Sequence, residues 1–299
     1  MNKLLVIVGP TATGKTDLAV HVAKQYNGEL VSADSRQVYR GMDIGTGKDK
    51  ESLAGIPIHL YDVVNPNEAF SISVFQEKAH ACIKEIQSRG KLPIVVGGSG
   101  LYVQTILHPL TVIVAPNATL RKELESYTKK ALQEKLQAVG KTDWETLNNS
   151  DRENPRRLIR KIEIAMGEKK APSQTQASFD VLEIGLTAAR SELYARIDAR
   201  VEKRVKQGIL QEIQTLLRAG YTWELPSMSG LGYRQWKPYF EKMATKESVV
   251  QQWKYDEHAY ARRQMTWFRK DKTIRWFDVT DKEKEKKIES LVSTWYTHA

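Results

Sequence analysis

The run Gly9-Pro10-Thr11-Ala12-Thr13-Gly14-Lys15-Thr16 has the residue types and spacing of a loop that wraps a phosphate. Its glycines let the backbone close around an anion so that several N–H groups point inward, and a following helix N-terminus adds its positive end. Lys15 supplies a mobile point charge, and the Thr16 hydroxyl is a ligand suited to Mg2+. A phosphate or diphosphate is the expected occupant. A site that hydrolyses a nucleoside triphosphate usually adds an apolar strand ending in Asp for the metal shell. Here the apolar run at residues 93–96 ends in Gly97-Gly98-Ser99-Gly100, with no carboxylate. The nearest acid is Asp34, in Val31-Ser32-Ala33-Asp34-Ser35, which could serve as general base on an acceptor group or as a ligand in a Mg2+ shell. Further along, Arg156, Arg157, Arg160 and Lys161 recur as a cationic stripe, and Arg262, Arg263, Trp267 and Arg269 set cations and an aromatic ring along one later helix. Both patterns suit a polyanion with stackable bases, and equally an ordinary wet or core-filling helix face.

These groups need a frame. Residues 3–8, Lys-Leu-Leu-Val-Ile-Val, read as a buried strand that delivers the chain into the phosphate loop. Residues 14–26 follow with Leu18, Ala19, Val22 and Ala23 at helical spacing. Residues 29–33 and 92–96 read as further strands, and residues 71–89 as a helix with Val74, Phe75, Ala79, Ile83 and Ile86 on one face. Strand alternating with helix predicts an α/β fold with a parallel central sheet. Ligands of such sheets bind at the carboxyl ends of the strands, which puts Asp34 beside the phosphates. After Leu110 the pattern changes. Residues 117–139 and 151–168 read as helices, carrying Leu120, Leu124, Leu132 and Leu136, then Leu158, Ile162 and Ala165. Strands return at residues 180–186 and 273–277, with helices at residues 191–218, at 247–269 and on to about Trp295. The expectation is an α/β core of residues 1–112 and 180–299, interrupted by an all-helical insertion domain at residues 113–179.

The 299 residues suffice for about two domains. Hydrophobic content of 41% with 27% charged residues excludes a disordered chain. No apolar run approaches the ~18 residues of a membrane span, so no membrane partner is expected. The leading apolar stretch is too short for a signal peptide, and the single Cys82 allows no internal disulfide, so a cytoplasmic location is expected. The net charge of +10 is uneven: residues 1–112 carry 11 basic and 10 acidic side chains, residues 113–179 carry 13 and 9, and residues 180–299 carry 22 and 17. A polyanionic partner would meet the later segments.

The loop at residues 9–16, the block Asp34-Ser35-Arg36-Gln37-Val38-Tyr39-Arg40-Gly41-Met42-Asp43-Ile44-Gly45-Thr46-Gly47-Lys48 and the block Gly97-Gly98-Ser99-Gly100-Leu101-Tyr102 together resemble the bacterial tRNA dimethylallyltransferases, also called tRNA isopentenyltransferases. Arg156-Arg157-Leu158-Ile159-Arg160, Gly232-Tyr233-Arg234-Gln235 and Ala261-Arg262-Arg263-Gln264-Met265-Thr266-Trp267-Phe268-Arg269 extend the resemblance, in order, over nearly the whole chain. It implies a P-loop NTPase-like core that transfers a dimethylallyl group from dimethylallyl diphosphate to N6 of the adenosine just 3′ of the tRNA anticodon. The diphosphate would be the leaving group, held by Gly9, Pro10, Thr11, Ala12, Thr13, Gly14, Lys15 and Thr16 with Mg2+. No γ-phosphoryl would move, which accounts for the strand that ends without a carboxylate.

The resemblance further implies that Arg200 adds a second cation to the diphosphate, that Asp34 accepts the N6 proton and that Thr13 lies beside the reacting centre. Asp34, Ser35, Arg36, Gln37, Ser99, Arg121, Arg156, Arg157, Leu158, Ile159 and Arg160 are the residues it implies touch the anticodon stem-loop. Ser99 stands where the family usually has Thr and keeps the hydroxyl. The stretch Ser150-Asp151-Arg152-Glu153-Asn154-Pro155 lacks the usual His-Pro-Asn-Asp pattern, and Thr111-Val112-Ile113-Val114 is more apolar than the family's hinge. A P-loop kinase of a nucleoside or small metabolite is the alternative reading, and it would consume ATP without tRNA. With no coiled-coil seam or other pairing element, a monomer is the default expectation.

Overall fold

The computed structural model describes residues 2–108, 114, 117–140, 142, 144–167 and 179–298. In chain order the elements are β1 (Lys3–Val8), α1 (Lys15–Gln25), β2 (Gly28–Ser32), β3 (Ile58–His59), α2 (Ile72–Ser88), β4 (Leu92–Gly97), α3 (Gly100–Leu107), α4 (Ala118–Glu125), α5 (Lys129–Val139), α6 (Asn149–Glu153), α7 (Pro155–Met166), β5 (Asp180–Thr187), α8 (Arg190–Gln207), α9 (Ile209–Arg218), α10 (Lys237–Phe240), α11 (Lys246–Phe268), β6 (Arg275–Asp278) and α12 (Lys284–Thr297). They fall into two compact units, one made of Met1–Pro109 with Ala177–Ala299 and the other of Leu110–Gln176. The expected hinge residues Thr111, Val112 and Ile113 lie outside the described residues.

In the first unit the six strands form one parallel sheet in the order β3-β2-β4-β1-β5-β6. β1 is central, with Leu5 level with Ile94 of β4 and with Leu182 of β5. A strand flanked by helices on both sides is apolar at every position, yet its side chains still alternate between faces. Leu5 and Ile7 enter one core with Ala19 and Val22 of α1 and Ile288 and Val292 of α12. Leu4, Val6 and Val8 enter the opposite core with Phe75 and Ile83 of α2 and Val103 of α3. A third cluster packs α9, α11 and the turn before α10 around Tyr233, Trp236 and Trp253. In the second unit α4, α5 and α7 close over Leu124, Leu132, Leu136, Leu158 and Ile162.

Three expected helices are each divided, the span 151–168 at Asn154 between α6 and α7. The span 191–218 breaks at Gly208, whose φ of 102° ends α8 in the left-handed conformation that glycine tolerates. The span 117–139 breaks where Ser126 ends α4 and the Thr128 side chain caps α5 by accepting from the Ala131 amide. α7 begins late, at Pro155, because Asn154 caps it by accepting from the Arg156 and Arg157 amides. The Gly97-Gly98-Ser99-Gly100 turn is shorter than it looks in sequence, since Gly100 already opens α3.

The amino end of β2 is held by charge. Glu29 is 1% exposed and accepts from both terminal nitrogens of Arg89 at 2.7 and 2.8 Å, from Lys91 at 2.7 Å, and faces His59 at 2.7 Å. Burial alone would push its carboxyl up; the hydrogen bonds from Arg89, Lys91 and His59 outweigh that and hold it at about 2. A carboxyl depressed below its unfolded value stabilises the fold above that value and loses its contribution as pH falls through the folded one. Glu29→Gln is therefore expected to cost ~3 kcal/mol at pH 7. Urea unfolding should show the gap to the unmodified protein narrowing between pH 5 and pH 3.

Candidate active site

The phosphate loop starts where β1 stops, and steric contact with β5 fixes its first residue. Gly9 has φ 141°, and a Cβ built there would stand 2.4 Å from the Leu186 carbonyl oxygen, so no side chain fits. The Thr13 hydroxyl and the Lys15 ammonium both donate to the Pro10 carbonyl, at 2.9 and 2.6 Å. Gly14, left-handed at φ 80°, is the N-cap of α1 and offers no side-chain cap, which leaves the first amides of the helix to the cavity. From 253 residues away α11 clamps the loop: the Thr11 amide donates to Gln264 Oε1 at 2.9 Å, and Gln264 Nε2 donates to the Gly98 carbonyl at 2.9 Å.

Asp34 lies just past the carboxyl end of β2, two strands from β1. Its Oδ1 accepts from the Arg36 amide at 2.8 Å, an Asx turn that fixes the carboxylate against its own backbone. The Ser35 amide donates to Ser99 Oγ at 3.2 Å, tying this turn to the one that follows β4. Arg200 on α8 reaches back to the loop and donates from Nη1 to the Thr11 hydroxyl at 2.7 Å. A cavity of about 670 Å3 collects Lys15, Thr16, Asp34, Arg36, Gln37 and Arg200 on its walls. Burial drives the Lys15 ammonium down to about 7, the Arg200 charge adds to that, and Asp34 partly opposes it. Tyr260 on the same wall is pushed well up by burial and by the Asp34 carboxylate, so it is a neutral phenol.

Of the residues expected at the site, Thr11, Ala12, Gly14, Lys15, Thr16, Asp34, Ser35, Arg36, Gln37 and Arg200 line this one cavity. Gly9, Pro10 and the buried Thr13 shape the loop behind it, and Ser99 sits in the adjoining turn. Arg121, Arg156, Arg157, Leu158, Ile159 and Arg160 belong to the helical unit. There Arg121 donates to both oxygens of the buried Glu163 at 2.7 and 2.8 Å, Arg160 pairs with Glu163 at 3.2 Å and Arg157 with Asp151 at 2.9 Å. Arg156 is exposed. Leu158 and Ile159 are 0% and 8% exposed, and their side chains fill the core of the unit. Trp267 is 40% exposed, with its ring lying over Gly100.

Sequence reasoning missed Gln264, Tyr260 and Asp49 in the cavity wall. Gln264 stood inside a block already singled out, and a glutamine between aromatic residues on a helix face was the available signal.

A parallel sheet with a phosphate-wrapping loop at the carboxyl end of its central strand, and a carboxylate in the same cavity, defines a P-loop group-transfer enzyme. The family model described as IPP transferase matches residues 37–271, and the one described as isopentenyl transferase matches residues 2–57. The tRNA dimethylallyltransferase of Roseiflexus sp. (strain RS-1) is 42% identical over 302 residues, covering 99% of each chain. The crystal structure of the tRNA isopentenylpyrophosphate transferase of Bacillus halodurans has a TM-score of 0.75 at 37% identity, covering 99% of this chain and 97% of that one. A eukaryotic dimethylallyltransferase captured acting on tRNA has a TM-score of 0.79 at 25% identity, covering 99% of this chain and 79% of that one. This chain belongs to the IPP transferase family.

With its pKa near 7, Lys15 is mostly neutral at pH 8, and an anion seated on the loop must recharge it. Binding of a diphosphate monoester, itself fully ionised at pH 8, is expected to take up ~1 proton. Isothermal titration without Mg2+ in buffers of different ionisation enthalpy measures this uptake, and Lys15→Met should abolish it.

Proposed function

We propose that this chain transfers a dimethylallyl group from dimethylallyl diphosphate to N6 of the adenosine immediately 3′ of the tRNA anticodon, releasing diphosphate. The observation that carries this reading is the meeting of the phosphate loop, Lys15 and Arg200 with Asp34 in one cavity. Breaking an allylic C–O bond puts positive charge on carbon and adds negative charge to the diphosphate. Groups already aimed at that growing charge lower the barrier without reorganising. The loop amides, Lys15 and Arg200 do this for the leaving group. Asp34 orients the exocyclic amine, whose lone pair is delocalised into the ring, and takes its proton as the N–C bond forms.

Among the described residues no three His, Cys, Asp or Glu side chains form a metal cage, and the Thr16 hydroxyl lines the cavity without a protein hydrogen bond. The Thr16 hydroxyl is an oxygen donor that would hold Mg2+ here, and the ion would supply positive charge toward the leaving diphosphate. The adenosine must leave its stack to reach such a cavity. The basic side chains of the helical unit, Arg156 foremost, then hold phosphates of the anticodon stem-loop. No helix among the described residues is long and apolar enough to cross a membrane, and a cytoplasmic monomer completes the reading.

An unmodified anticodon stem-loop incubated with the protein, Mg2+ and dimethylallyl diphosphate should gain one dimethylallyl group on that adenosine, read by mass spectrometry of the nucleosides. ATP turnover on a small acceptor, with no such gain, would make this a kinase. Asp34→Ala should lower turnover by ~10²-fold or more while leaving affinity for the stem-loop within a few-fold. Loss of affinity alone would rule out the base role.

A further inference from the structure

We propose that Glu212 is a positioning residue for the transfer: its carboxylate seats the loop of residues 43–49, and that loop aims Arg200 at the phosphate site. The inference rests on the diphosphate reading of the cavity given above. Glu212 lies on α9, and its side chain touches none of the reacting groups. Its Oε2 accepts from the amides of Asp43 and Ile44 at 2.8 and 2.7 Å, and its Oε1 accepts from the Gly45 amide at 3.1 Å and from the Tyr233 hydroxyl at 2.7 Å. Three successive amides converging on one carboxylate make an anion nest that fixes the dihedral angles of the loop. Tyr233 is fully buried, and its ring stands where a side chain at Gly45 would be, so the nest is also packed from behind.

The seated loop then presents its carbonyls to α8. Gly47 O accepts from Arg200 Nη2 at 3.4 Å and from Gln37 at 3.2 Å, Asp49 pairs with Arg200 at 3.4 Å, and Gly45 O accepts from Arg204 at 3.3 Å. Arg200 and Arg204 sit one helical turn apart, and both press on Gly47, where a Cβ would stand 2.4 and 2.1 Å from their guanidinium nitrogens. Two like charges this close repel, so Arg200 keeps its pose only while the carbonyls at 45 and 47 stay in place. Glu257 balances Arg204 at 3.2 Å. Arg200 is left to span from Gly47 to the Thr11 hydroxyl of the phosphate loop.

Inorganic pyrophosphate with Mg2+, followed by isothermal titration, reads the effect without needing turnover. Glu212→Gln leaves one oxygen where there were two and turns N–H groups toward N–H groups. It is expected to weaken pyrophosphate binding about fivefold, and Arg200→Ala about tenfold. The double variant should bind no more weakly than Arg200→Ala alone, because Glu212 acts through Arg200. Tyr233→Phe, which removes one of the four donors and keeps the ring, repeats the cycle should Glu212→Gln fail to fold. Unchanged affinity in a folded Glu212→Gln or in Arg200→Ala, or losses that add in the double variant, would overturn the proposal. A wild-type protein that does not bind pyrophosphate would instead overturn the phosphate site beneath it.

Discussion

The site depends on the parallel pairing of β1 between β4 and β5. That register sets Val8 level with Gly97 on one side and with Gly185 on the other. The chain must therefore turn out of the sheet at Gly9 in the one place where the Leu186 carbonyl leaves no room for a side chain. β2 extends the same layer, so its carboxyl end, and with it Asp34, arrives at the same edge as the loop. Packing on both faces of β1 stabilises this arrangement, and the chemistry takes advantage of where the strands happen to end.

The cavity concentrates cations against their own repulsion. Lys15, Arg200 and Arg204 share its walls with Asp17, Asp34, Asp49 and Glu257, and the Lys15 and Arg204 pKa values are lowered by burial first and by the Arg200 charge second. The rest of the protein satisfies these groups with backbone carbonyls: Pro10 for Lys15, Gly45 for Arg204 and Gly47 for Arg200. Such carbonyls hold a guanidinium in place without cancelling its charge, which keeps the field available for a leaving anion.

Much of this was legible in the sequence because it is local. The glycine spacing of the phosphate loop, the apolar runs of β1, β2 and β4, and the Asp34 turn are each set by neighbours within a few residues. What was not legible joins distant segments. Gln264 meets Thr11, Glu212 meets Asp43, and Arg200 meets Gly47, and none of these pairs leaves a periodic signal. The apolar face of α7 was legible for the same local reason, since Leu158, Ile162 and Ala165 follow the 3.6-residue period. Gly208 was visible too, but a single glycine in a long amphipathic run is a weak argument until its positive φ is seen.

The placing of β1 also bears on how the chain acquires its structure. β1, buried at every position, is the first of the described strands in chain order, yet both of its neighbours come much later, β4 at Leu92 and β5 at Asp180. During synthesis one edge of β1 waits for β5, and the face carrying Leu5 and Ile7 waits for α12, with the whole helical unit made in between. Non-local parallel pairing of this kind folds slowly and exposes sticky edges meanwhile. Lys3, at the head of that strand, finally bonds Asp180 and the Trp295 and His298 carbonyls, so the sheet's first residue gains its full set of partners only when the last of the described helices has formed. The core of the helical unit, Leu124, Leu132, Leu136, Leu158 and Ile162, is complete in chain order before β5 begins.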